Sequence, residues 1–120
     1  MERDLKQRTK TFALRIIKLY SALPRRGDAK VFGNQILKSG TSVGAQYREA
    51  CRAKSDADFI SKVEGALQEL DETAYWLELI GEAEILPMSR LQPLHDKAEE
   101  LLAILVTIVT KVKRKNLRNR

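Results

Sequence analysis

Apolar residues recur along the chain in steps of three and four, and these steps fall into four runs. In the first, Leu5, Phe12, Ile16, Leu19 and Leu23 share one stripe and predict a helix from about Arg3 to Ala22. The segment Leu23-Pro24-Arg25-Arg26-Gly27-Asp28 ends it, because Pro24 disfavours helix at Leu23 and Gly27 can take a left-handed turn. The second run predicts a helix from Asp28 or Ala29 to about Ala53, with Val31, Ile36, Leu37, Val43, Ala50 and Cys51 as its apolar positions. Its middle, Ser39-Gly-Thr-Ser-Val-Gly-Ala45, holds two Gly and three hydroxyl residues. Each Gly costs about 1 kcal/mol of helix propensity against Ala. Small residues offset that cost where another helix approaches closely or where the hydroxyls bond across an interface.

The third run opens on Ser55 as N-cap, with Asp56 and Asp58 in the first turn, where the macrodipole favours anions. Phe59, Val63, Ala66, Leu70, Thr73, Leu77 and Ile80 form a heptad seam, and Gly81 and Pro87 bracket its end. The fourth starts between Ser89 and Pro93, with Ser89 and Gln92 resembling a capping box, and runs to about Lys113. Its seam is Leu91, Leu94, Ala98, Leu101, Leu105, Ile108 and Val112. Leu102, Ile104, Val106 and Val109 lie off the seam, so this helix is apolar nearly all round from 101 to 109. A monomeric bundle would leave one side of it wet, and the expectation is that these four residues form an oligomer interface. A broad core stripe with a few exposed aliphatics is the plainer alternative.

Helices of roughly 20–27 residues are about 30–40 Å long, and short connections make neighbours antiparallel. The expected fold is all-α: an antiparallel up-down-up-down four-helix bundle, assembling into a ring-like homo-oligomer. Residues 1–113 form the bundle domain and 114–120 a basic C-terminal tail. The 120 residues suffice for one core. Six Gly and three Pro are few for a sandwich or barrel. One Cys and one His exclude an internal disulfide and a four-ligand zinc site of the usual kind, so neither metal nor cofactor is expected. The longest apolar run, Leu101–Val109, is too short for a membrane span of about 20 residues. The N-terminus lacks the apolar stretch of a signal peptide, and the expected location is cytoplasmic.

The net charge of +6 hides a segregation. Residues 1–54 carry +9, residues 55–110 carry −9, and the last ten carry +6. Oppositely charged halves point to an electrostatic partner or to pairing between the halves. The tail has no acidic residue near it in sequence. The candidate nucleic-acid-binding residues are Arg25, Arg26, Arg48, Arg52, Lys111, Lys113, Arg114, Lys115, Arg118 and Arg120.

On a helical wheel, Ser39, Ser42, Gln46, Glu49 and Ala53 share a face of the second helix. Lys62, Glu69, Glu72 and Trp76 follow in helical steps on the third. Such a polar seam fixes register more than it adds net stability. The runs Ser39-Gly-Thr-Ser-Val-Gly-Ala-Gln-Tyr-Arg-Glu-Ala50, Arg52-Ala-Lys-Ser55, Asp58-Phe-Ile-Ser-Lys62 and Glu69-Leu-Asp-Glu-Thr-Ala-Tyr-Trp-Leu-Glu-Leu79 resemble a bacterial four-helix-bundle family. That family was first named for open reading frames inside intervening sequences of 23S rRNA genes. The resemblance covers about residues 5–112, with Gln46 where the family most often has Asn. It implies an antiparallel bundle assembling as a ring, a pentamer by preference. It also implies a distant similarity to the accessory protein of diversity-generating retroelements, a basic pentameric barrel engaging RNA and a reverse transcriptase. Ser42, Gln46, Glu49, Lys62, Glu69 and Glu72 are the residues of the family's polar seam.

Three functions compete on this reading. The first is a non-enzymatic oligomer binding RNA or another polyanion through pooled basic surfaces, where a ring multiplies weak phosphate contacts through effective concentration. Tyr47, beside Arg48, is its candidate for base stacking. The second is a scaffold or hub binding another protein. The third is a ribonuclease, because Arg90-Leu-Gln-Pro-Leu-His95 has the Arg-x4-His spacing of four-helix HEPN ribonucleases. There Leu91 stands where that family is usually polar. A surface His95 capping nothing in particular is the simpler account of the same residues. Cys51 reads as a small residue in a packed helix face.

Overall fold

The computed structural model describes residues 2–119, with side chains placed from Asp4 onward. Four helices fill it, α1 (Glu2–Ala22), α2 (Gly27–Cys51), α3 (Asp56–Glu82) and α4 (Met88–Arg118), with no strand among the described residues. They form a rod of 52 × 22 × 20 Å. The central α2 and α3 share the largest interface, α1 flanks α2, α4 flanks α3, and the seam between α1 and α4 is the thinnest.

Cross-helix partners run in opposite order along successive helices. On α1 and α2, Thr9 lies against Gly44, Ile16 against Gly40, and Tyr20 against Gly33. On α2 and α3, Ser39 meets Thr73, Gln46 meets Gly65, and Glu49 meets Lys62. On α3 and α4, Glu78 meets His95 and Glu64 meets Lys113.

The core follows the predicted stripes closely. Leu5, Phe12, Ile16, Leu19 and Leu23 are buried on α1, and the α3 seam is buried from Val63 to Ile80. The small residues in the middle of α2 serve close approach. A Cβ on Gly40 would sit 2.7 Å from Cγ1 of Ile16. The hydroxyls there mostly bond within their own helix. Thr41 donates to the Leu37 carbonyl and Ser42 to the Lys38 carbonyl, each at 2.7 Å. Ser39 alone of the three reaches across, 2.8 Å from Thr73 Oγ1.

Several expectations are corrected. Val31 and Cys51, read as packed, are exposed, while Ala29, Gly33 and Tyr47 take the buried α2 positions. The end of α3 does fall between Gly81 and Pro87, at Glu82, with Met88 and Leu91 packed where a Cβ on Gly81 would be. The helix ends in a Schellman motif, with Ile85 N–H donating to the Ile80 carbonyl and Glu84 N–H to the Gly81 carbonyl, both at 3.0 Å. The left-handed residue is Glu84 (φ 60°), not a glycine. The α4 capping box does not form. The helix starts at Met88 behind Pro87, which supplies no side-chain cap, and Gln92 instead donates to Asp96.

The α4 seam also shifts. Leu91, Leu94, Ala98, Leu101 and Leu105 are buried as predicted, but the next buried residue is Val109, with Ile108 and Val112 only partly covered. A straight helix drifts about 20° per heptad against a strict seven-residue repeat, which carries the seam from 108 to 109. Finally, α4 runs unbroken past Lys113 to Arg118, so residues 114–118 continue the helix.

Candidate nucleic-acid interface

The predicted basic residues divide between the two ends of the rod. Arg26 precedes α2 and Arg52 follows it, so the 25 residues between them, about 37 Å of helix at 1.5 Å per residue, separate the two groups. Arg25 packs its guanidinium 5.6 Å from the Tyr20 ring centroid at the first end. Arg48, Arg52 and the end of α4 lie at the second, where Lys115 reaches Asp56 at the start of α3. The nine of these residues that the structure describes therefore do not form one patch. Arg120 lies outside the described residues.

The end of α4 is not as free of acidic neighbours as its sequence suggests. Lys113 Nζ lies 2.7 Å from Glu64, and Lys115 Nζ lies 3.4 Å from Asp56. Both acids come from the acidic first third of α3, brought alongside by the packing of α3 on α4. Lys111, Arg114 and Arg118 remain exposed without an ion-pair partner among the described residues, as do Arg48 and Arg52. Cations in the last turns of α2 and α4 also complement the negative ends of those helices.

The aromatic set is corrected too. Tyr47 is 1% exposed, a core residue that no base can reach. Tyr75, at 54%, is an exposed aromatic. Its ring lies 5.4 Å from that of Trp76, tilted by 60°, and the Trp76 ring also meets Phe32.

The polar seam is present between α2 and α3, though its members pair less directly than their spacing suggests. Glu49 and Lys62 bridge the helices at 3.3 Å. Gln46 lies against Gly65, whose missing Cβ admits the amide. Ser42 is occupied by its own helix. Burial pushes the Glu69 carboxyl above its ordinary value, the neighbouring Glu72 pushes it further, and Lys38 opposes both. Thr73, which the spacing assigned to the apolar stripe, turns out to be the buried polar partner of Ser39. The hydroxyl run on α2 was the available signal for such a partner.

Of the four residues assigned to an oligomer interface, Val109 is buried in the protomer's own core. Leu102 and Ile104 are partly buried against it, and Val106 is 42% exposed. The protomer's own core thus covers Val109, while Val106 and part of Leu102 stay at the surface of the α3/α4 groove.

His95 is not free at the surface. Its Nε2 lies 2.8 Å from Glu78 Oε2 across the α3–α4 seam, while Arg90 is exposed five residues earlier. No group of three or more metal-ligating residues occurs among the described residues, and no helix is long and apolar enough to cross a membrane.

Residues 1–107 match the family described as 23S rRNA-intervening sequence protein. The chain belongs to that family. Among solved structures, it is similar to a protein of unknown function from the S23 ribosomal protein family of Bacteroides thetaiotaomicron. The two are 40% identical and superpose with a TM-score of 0.82, over 87% of this chain and 96% of the other. Comparison with the curated proteins finds no match. The family match spans α1 to α3 and most of α4, and stops before the basic end of α4.

Proposed function

We propose that this member of the family is a non-enzymatic, cytoplasmic, up-down-up-down bundle that assembles into a ring and binds RNA or another polyanion. The opposite order of cross-helix partners supports the topology. The family resemblance supports the ring and its five copies.

One observation carries the binding reading. Arg52, Lys111, Arg114 and Arg118 all lie toward one end of the rod without acidic partners among the described residues. Cations so placed contact phosphate rather than base edges, so binding is strongly salt-dependent and weakly sequence-selective. A single protomer presents too few of them for tight binding. A ring that points these ends the same way multiplies the contact through effective concentration. Arg25 and Arg26, at the opposite end, take no part in that surface.

The test is fluorescence anisotropy with a labelled single-stranded RNA across a salt series. Binding is expected to fall steeply between low and physiological salt, and to weaken at least tenfold when Arg52, Lys111, Arg114 and Arg118 are changed to Gln. Undiminished binding by that variant, or none by the wild type at low salt, overturns the reading.

A further inference from the structure

The charge asymmetry of the sequence becomes a spatial one. The outward groove between α1 and α2 is flanked by Lys6, Lys10 and Arg48 over a small-residue floor that includes Ala13, Gly44 and Ala45. Further along the same face it passes Tyr20 and Asn34 and reaches Lys30. No Asp or Glu lines either stretch. Ile17 continues the Lys10–Ala13 stripe in helical steps and is 43% exposed. A different face of the rod carries the reverse pattern. The groove between α3 and α4, about 620 Å³, is lined by Leu67, Leu102 and Val106 with Glu64 and Asp71 beside them. Glu99, one turn from Leu102, is exposed on the same α4 stripe.

Each groove thus has an apolar strip, with free cations beside the first and, beside the second, the acids Asp71 and Glu99, Glu64 there being already paired with Lys113. A phosphate backbone would use the cations of the first but gains nothing from the apolar strip beside them. It would be repelled by the second groove. A second copy of this chain satisfies both at once. We infer that the α1/α2 groove of one protomer receives the α3/α4 face of the next, a head-to-tail contact that sets Lys6 and Lys10 against the acidic rim holding Asp71 and Glu99. The contact is heterologous, so every protomer keeps one free face of each sign until the assembly closes on itself. Complementary charge steers the encounter and fixes the register, and the apolar strips supply the buried area. This assignment rests on the self-assembly reading above and adds which faces meet.

The experiment compares masses by sedimentation for the wild type, for Lys6→Glu/Lys10→Glu and for Asp71→Lys/Glu99→Lys, each checked for unchanged helicity by circular dichroism. All four positions are exposed, so folding is retained. Each variant alone presents two like-charged faces, and its mass is expected to fall at least twofold from that of the wild type. An equimolar mixture is expected to regain mass, because each variant then offers the other an opposite face. Both variants keeping the wild-type mass overturns the assignment while leaving self-assembly intact, and loss without recovery on mixing overturns the pairing of these two faces. A Lys6→Glu/Lys10→Glu protein that keeps its mass but loses RNA binding gives the groove to nucleic acid instead. A wild type that stays monomeric at high concentration overturns both this inference and the ring.

Discussion

Ser39 Oγ and Thr73 Oγ1 lie 2.8 Å apart between the two central helices, with the two residues 2% and 0% exposed. Thr73 also reaches the Glu69 carbonyl at 2.7 Å, so the hydroxyls form a chain in which Ser39 donates to Thr73 and Thr73 donates to its own helix. The two positions are therefore not equivalent. Ser39→Ala leaves Thr73 bonded to Glu69 and is expected to cost about 0.5–1.5 kcal/mol. Thr73→Val strands the Ser39 hydroxyl, whose other acceptor is the Ile36 carbonyl at 3.4 Å, and should cost about 1–3 kcal/mol. The double variant removes both polar groups and should cost less than the sum of the two. Urea denaturation of the four proteins measures that coupling directly.

Two glycines make opposite demands. A Cβ at Gly40 would meet three atoms of the fully buried Ile16 at 2.7–3.1 Å, a branched side chain with nowhere to go. Gly40→Ala is expected to destabilise by about 1–3 kcal/mol, despite the propensity gain. At Gly65 the obstacle is the end of the Gln46 side chain, 2.9 Å away, which can swing toward solvent. Gly65→Ala should be neutral or stabilising by up to about 1 kcal/mol. Thermal unfolding of both variants checks the contrast.

These two positions also mark what the sequence disclosed. The unusual Gly/Ser/Thr content of α2 announced a close helix approach, and the structure has one. The four helices, their approximate limits and most of the core were legible because long amphipathic stripes repeat many times and outweigh any single residue. Local ends were less legible. Gly81 and Pro87 flanked the end of α3 correctly, but the left-handed position falls on Glu84, a residue type that carries no such signal. The basic surface was the least legible part. Arg25 and Arg52 flank the span expected for α2 and so fall at opposite ends, but which cations are neutralised depends on tertiary packing. The pairing of Lys113 and Lys115 with α3 carboxylates likewise joins residues some fifty to sixty positions apart.

Glu84 closes the α3 Schellman motif at φ 60°, a conformation that costs an ordinary L-residue about 1–2 kcal/mol. Its side chain is exposed and makes no ion pair among the described residues. Glu84→Gly should therefore raise stability by about 0.5–1 kcal/mol. Glu84→Val, β-branched at the same position, should lower it. Melting temperatures of the two variants are expected to move in opposite directions from the wild type.

Two carboxylates give stability opposite dependences on pH. Glu69 is held above its ordinary value of 4.5, by burial first and by Glu72 second. Its ionised form is penalised in the fold, so the favourable contribution is present at low pH and is lost as pH rises through the folded value. Glu100 is held below 4.5, chiefly by its hydrogen bond with Lys97, with the charges of Lys97 and Arg8 adding to it. Its contribution is present at neutral pH and is lost as pH falls through the folded value. Glu69→Gln should therefore stabilise at pH 7 and Glu100→Gln should destabilise, and both differences should shrink toward zero below about pH 4. Chemical denaturation at pH 7 and pH 3 reads both signs.

The end of α4 offers a sharper separation between charge that binds and charge that folds. Lys113 and Lys115 are engaged by Glu64 and Asp56, whereas Lys111, Arg114 and Arg118 point to solvent without an acidic partner among the described residues. If the basic end contacts a polyanion as proposed, the second group carries the contact. Each phosphate contact contributes about 0.7 to the slope of log K against log salt for a single strand. Changing Lys111, Arg114 and Arg118 to Gln should flatten that slope by about 2 per protomer engaged while leaving the melting temperature unchanged. Changing Lys113 and Lys115 to Gln should do the reverse, leaving the slope nearly intact and lowering stability by less than about 1 kcal/mol for each exposed pair. Equal effects of the two variants on the slope would mean that the α3 carboxylates release their lysines when the polyanion arrives, and the division between paired and unpaired cations would then fail.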